Sequence, residues 1–131
     1  MAKTYVEIIS VSVTADDSKT KDAIAKQIKS IFADKIEKSG YLTCKPPADK
    51  NAKGFSLDTN FVLAASGAEF NGEMEIAMSF RPKKALLGHA ANGGSASNAR
   101  LIEAMVEAVS EAIMAKVLPQ LKAQIPKLAG K

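Results

Sequence analysis

The run GHAANGGSAS, Gly88 to Ser97, gathers the small residues that can cradle a phosphate. Such a cradle needs backbone N–H groups exposed by glycine, and a lysine that reaches the β- and γ-phosphates. Gly88, Gly93, Gly94 and Ser95 fit the spacing, but Gly94 stands where the lysine must be. Pro82, Lys83 and Lys84 also separate the run from the strand before it. A mobile connection of small residues accounts for the same sequence, and that is the expectation taken. His89, the only histidine, lies in this run, and Cys44 is the only cysteine. A thiol–imidazole pair would need the two to meet in space with a third group to orient the ring. Their spacing offers no support for that, so Cys44 reads as a small buried residue and His89 as a loop residue. One His and one Cys cannot close a metal site, and no metal or other cofactor is expected.

Charged residues are the remaining candidates. Asp58, Glu73 and Glu75 fall on the polar side of alternating segments, where water leaves nothing to tune a general acid or base. Lys19, Lys26, Lys29, Lys50, Lys53, Arg81, Lys83 and Lys84 could form basic patches of the kind that meet nucleic acid. RNA-binding sheets stack bases on strand aromatics, however, and the aromatics here fall on the apolar side, so nucleic acid is disfavoured. Glu103, Glu107 and Glu111 repeat every fourth residue near the end of the chain. Like charges at that spacing cost their helix a few tenths of a kcal/mol each. A solvated face explains them, and so does a contact between the acidic ridge of one copy and the Lys19, Lys26 and Lys29 face of another.

These residues must be positioned by six elements. Tyr5 to Thr14 is dense in β-branched residues on both parities, as in a central strand. Asp16, Asp17 and Ser18 supply capping oxygens for a helix whose stripe is Ile24, Ile28, Ile31, Phe32 and Ile36. Lys35, Lys38 and Gly40 suit its C-terminus. Tyr41 to Lys45 is a short edge strand stopped by Pro46-Pro47. Phe55, Leu57, Thr59, Phe61 and Leu63 alternate with polar neighbours, as do Met74, Ile76, Met78 and Phe80. Either Ser66-Gly67 or Asn71-Gly72 could turn between them, the former setting Phe70 opposite Leu63. Pro82 closes that strand. Ser97 or Asn98 caps a last helix with Leu101, Ile102, Met105, Val106, Val109, Ile113 and Val117 on its apolar side. Pro119 should kink or restart this helix and Pro126 should end it, leaving Lys127 to Lys131 frayed.

The order β-α-β-β-β-α predicts one α+β domain over residues 1–131. It is a two-layer sandwich of about four mostly antiparallel strands with two helices on one face. With 47% hydrophobic and 24% charged residues the chain is ordinary globular material. A net charge of +4 gives weak steering toward acidic partners. No apolar stretch is long enough for a membrane span. A lone cysteine and no leader-like start make cytoplasmic residence the default; a removed leader would move it to the periplasm or envelope.

The helix end Lys38-Ser39-Gly40-Tyr41, the strand FSLDTNFVL, a second alternating strand, and the Gly/Ala/Ser-rich run before an Ala-rich last helix also form a pattern. It resembles small bacterial envelope-associated α/β domains of the curli-secretion and penicillin-binding-protein-activator lipoprotein types. The resemblance implies a non-catalytic adaptor or self-assembling unit rather than an enzyme, with a second copy or another protein as partner. A small-ligand or nucleic-acid binding module is the alternative. The lack of a leader and of a lipobox cysteine departs from that pattern.

Overall fold

A computed structural model of the chain describes residues 3–16 and 18–129. Its elements are β1 (Thr4–Thr14), α1 (Ser18–Lys38), β2 (Leu42–Thr43), β3 (Gly54–Ser66), β4 (Glu69–Arg81), β5 (Leu86–Ala96) and α2 (Ile102–Ala129). A single 3-10 turn, Ala99–Leu101, leads into α2, and the Asn98 side chain accepts from the Arg100 N–H to cap it. Asp17, expected to help cap α1, lies outside the described residues.

The five strands form one sheet in the order β2-β1-β3-β4-β5. β1 runs parallel to both β2 and β3, while the long β3–β4 and β4–β5 ladders are antiparallel. The chain is thus α+β with a mostly antiparallel sheet, as the alternation implies. It has five strands rather than about four.

One face of the sheet is buried under the two helices. Phe55, Leu57 and Phe61 from β3 and Met74, Ile76 and Met78 from β4 are wholly buried there. They meet Ile28, Phe32 and Ile36 of α1 and Val106, Ile113 and Val117 of α2. Full burial of side chains this size stabilises by about 1.5–3 kcal/mol each. Gly40, at φ +85°, ends the first helix as its position suggests.

The β3–β4 turn is Gly67-Ala68, with Gly67 at φ +65°. This pairs Phe70 with Ala65 and Leu63 with Gly72, a register that differs from the Phe70–Leu63 pairing of the Ser66-Gly67 alternative. Asn71-Gly72, the other turn candidate, is inside β4.

The largest departure is the small-residue run. Gly88 to Ala96 is not a mobile loop but belongs to β5. Its glycines serve packing. Gly94 lies opposite Gly72, and a Cβ on Gly94 would come 2.8 Å from Val109 Cγ2 and 3.2 Å from Met105 Cγ. A Cβ on Gly72 would meet the same Met105 sulfur at 2.8 Å. The paired glycines make the hollow in the sheet that lets α2 approach.

Proline also acts differently from expectation. α2 continues through Pro119 and Pro126 to Ala129. Each proline costs a helix interior about 3 kcal/mol. Val117 and Leu121 are wholly buried and Leu128 is 8% exposed, and each returns about 1.5–3 kcal/mol if the helix persists over the sheet. The tail expected to fray is therefore helical as far as Ala129; Gly130 and Lys131 lie outside the described residues.

Candidate functional site

The side of the sheet away from the helices carries small polar residues. Ser10, Asp58, Ala77 and His89 lie in one cross-strand row, and Ser12, Asn60, Glu75 and Ala91 in the next. Ser10 Oγ donates to Asp58 Oδ1 at 2.7 Å. Asp58, Glu73 and Glu75 are exposed here, as their alternation implies. Val62, 45% exposed, is a large apolar residue beside these rows, and Ile9, 49% exposed, lies at the irregularity between Ile8 and Ser10. No helix covers this face, and a polar depression lies in it between Thr14, Asn60, Val62, Glu73 and Glu75.

The two edges of the sheet differ. β2 has two residues, and Pro46-Pro47 follow it closely. The Glu37 carboxylate at the end of α1 accepts from the Cys44 N–H and the Thr43 hydroxyl, both at 3.0 Å. Those bonds, the Cys44 N–H first, hold Glu37 below the ordinary carboxylate pKa. Burial, with Glu37 beside it, pushes the Cys44 thiol up to about 11, which suits a structural thiol rather than a nucleophile. β5, at the opposite edge, is eleven residues long and contains no proline, lysine, arginine or carboxylate. Lys116 of α2 reaches it, its Nζ donating to the Ala91 carbonyl at 2.8 Å.

This topology disposes of two sequence candidates. Cys44 follows β2 and His89 is in β5, with three strands between, roughly 19 Å at the usual strand spacing. They form no dyad. An extended strand also cannot curl around a phosphate, so Gly88, Gly93, Gly94 and Ser95 make no cradle. Among the described residues there is no group of three metal-ligating side chains.

The charged helices are neighbours within one molecule, which linear spacing could not reveal. Lys35 Nζ lies 3.3 Å from Glu111 Oε1, and Gln27 Nε2 donates to the Glu103 carbonyl at 2.8 Å. Glu111 thus has a partner in its own chain. Lys26, Lys29, Glu103 and Glu107 are exposed, and Lys19, exposed too, is also engaged in a contact.

The structure gathers another group at the end of the sheet, where β4 turns into β5. Arg81 is held over the Tyr5 ring at 4.7 Å, with Nε 3.3 Å from Glu7 Oε1. Its Nη1 and Nη2 donate to the Ala52 and Lys50 carbonyls at 2.9 and 3.1 Å. Lys53 and Lys83 flank it around a hollow floored by Phe80 and Leu128. Lys53, Arg81 and Lys83 are among the basic residues that the sequence offers as patches, whereas the apolar floor between them is not legible there, because Leu128 falls in the tail expected to fray.

No family model and no curated protein match the sequence. Solved structures do match in fold. A hypothetical protein of Chlamydia trachomatis, CT253, superposes with a TM-score of 0.67 at 11% identity, covering 92% of this chain and 99% of that one. PelC of Paraburkholderia phytofirmans, solved as a dodecamer, gives 0.55 at 17% identity over 91% and 87% of the two chains. A minor lipoprotein of Acinetobacter baumannii gives 0.51 at 8% identity, over 95% and 94%. The chain therefore shares its fold with bacterial lipoprotein and oligomer-forming proteins. No described helix is long and apolar enough to cross a membrane.

Proposed function

We propose that this chain is a non-catalytic assembly domain that associates with further copies of itself through the β5 edge. The observation that carries this reading is the edge itself. Eleven residues, LLGHAANGGSA, seven of them Gly, Ala or Ser, end the sheet without a proline, lysine, arginine or carboxylate of the kind that usually blunts an outer strand. Unpaired peptide groups on such a strand can be satisfied by a second strand, and the uncovered polar face beside it adds rim contacts. PelC, a dodecamer built on a similar fold, supports a multimeric reading, and the lipoprotein likeness favours the envelope over a cytoplasmic default. The adaptor role follows the resemblance to curli-secretion and penicillin-binding-protein-activator domains.

The competing contact pairs the Lys19, Lys26 and Lys29 face of one copy with Glu103, Glu107 and Glu111 of another. Salt separates the two. Charge pairing weakens between about 0.05 M and about 0.5 M salt, whereas backbone pairing persists. Light scattering on the purified chain should give a multimer at both, and Ala91→Lys with Gly93→Lys should give a monomer with unchanged circular dichroism. A wild-type monomer at tens of micromolar rejects the proposal. A multimer that dissolves in salt moves the contact to the helices.

A further inference from the structure

We infer that the hollow at the β4–β5 turn binds a small amphiphilic carboxylate, an alkyl or aryl acid whose apolar part has the bulk of about one ring. This site is independent of the β5 edge. Its floor is Phe80, Pro82, Ala85 and Leu128, and its volume is about 150 Å³. An engineered apolar cavity of that order holds one benzene, so the floor has room for one ring or a short alkyl chain. The walls are built before any ligand arrives. The Phe80 N–H donates to the Ala85 carbonyl across the turn at 2.8 Å, and the Phe80 ring leans on Phe55 with centroids 5.9 Å apart. Leu128 is held by a helix that continues past two prolines to reach it.

Charge decides what kind of molecule fits. Lys53, Arg81 and Lys83 stand around the apolar floor, and no carboxylate lines it among the described residues. Arg81 is matched by Glu7 and two backbone carbonyls, so it acts as a wall. Lys53 and Lys83 remain as two exposed ammonium groups beside apolar surface. A neutral apolar molecule would leave those cations unused, and a bare anion would leave the floor empty. A ligand with an apolar end and a carboxylate satisfies both, in the usual pattern of an apolar pocket with a few convergent polar groups.

The test is titration of the full chain with 3-phenylpropionate, followed by the methyl NMR signals of Leu128 and Ala85. Saturable shifts are expected, with 3-phenylpropanol and acetate each binding at least about tenfold more weakly. Lys53→Glu with Lys83→Glu, both at the surface, should weaken binding about tenfold while leaving the unfolding temperature near wild type. Ala85→Trp, which fills the hollow, should abolish it. The proposal fails if no shift saturates, if the alcohol binds as well as the acid, or if the double lysine variant binds undiminished. Binding to anionic lipid vesicles with no response to the free acid would likewise overturn it.

Discussion

The two edges of this sheet solve the same problem differently. At β2 the chain closes its own edge: the strand is two residues long, prolines follow, and Glu37 takes the next peptide N–H. At β5 the edge is eleven residues long with no lysine, arginine or carboxylate of its own, and one lysine from α2 lies against it. Outer strands invite pairing, so a long edge met by a single lysine is informative where the opposite edge is short and closed. Closure at β2 also shows that the fold can blunt an edge with local means. At β5 one such bond is made, from Lys116 to the Ala91 carbonyl, along eleven residues without proline.

The strongest way to break the contrast is to detach β5. Gly94→Val puts a side chain into Val109 and Met105 and should cost about 1–3 kcal/mol in urea unfolding, with multimers lost as well. Ser95→Val, next to it on the uncovered side, should stay within about 0.5 kcal/mol. If both cost the same, the glycines are not spacers for α2.

Smaller effects sharpen the β2 side. Glu37→Ala should speed hydrogen exchange at the Cys44 amide. In the wild type, Glu37 has a depressed pKa in the fold, so its contribution is present above the ordinary value of 4.5. It is lost as pH falls through the lower folded value. Exchange at Cys44 should accelerate over that acid range in the wild type, beyond the intrinsic pH trend, and show no such step in the variant.

Lys116→Met should free the Ala91 carbonyl and tighten self-association by a few-fold, about 1 kcal/mol or less, with little change in monomer stability. Weaker association would mean that Lys116 is part of the contact rather than a guard.

The least disruptive probe is Cys44 itself. With its thiol pushed up to about 11, it should react slowly with a disulfide reagent at pH 8 and accelerate toward pH 11, while the unfolded chain reacts readily at pH 8. The sign for stability follows: a raised pKa favours the neutral thiol in the fold. That contribution is present below about 9 and is lost as pH climbs through about 11.

Much of the covered face was legible from sequence because its signals are local. Ile24, Ile28, Phe32 and Ile36 keep helical spacing, and Phe55, Leu57 and Phe61 alternate, so period alone assigns them. β5 defeated that method. Alternation between Gly and Ala carries no hydropathy contrast, and what makes Gly94 necessary is a helix that arrives from the next element. The same holds for Pro119 and Pro126, whose local cost is overruled by Val117, Leu121 and Leu128 beneath them. Of the candidate surface residues, Glu111 found Lys35 because two helices lie side by side, a fact outside any window of sequence. Arg81 and Lys83 share the RPKK run, but Lys53 comes from just before β3 and Leu128 from the end of α2, and spacing could not show that they meet at one strand end.

The position of β1 has a consequence for how the chain is made. It is the first strand in sequence, yet it lies between two later ones and runs parallel to both. No hairpin can start it, and its ladders form only after two long loops have closed. During synthesis Val6, Ile8, Ile9, Val11 and Val13 leave the ribosome well before β3 exists to receive them. This segment is where a nascent chain would call on a chaperone, while the β3–β4–β5 meander can assemble from its own neighbours.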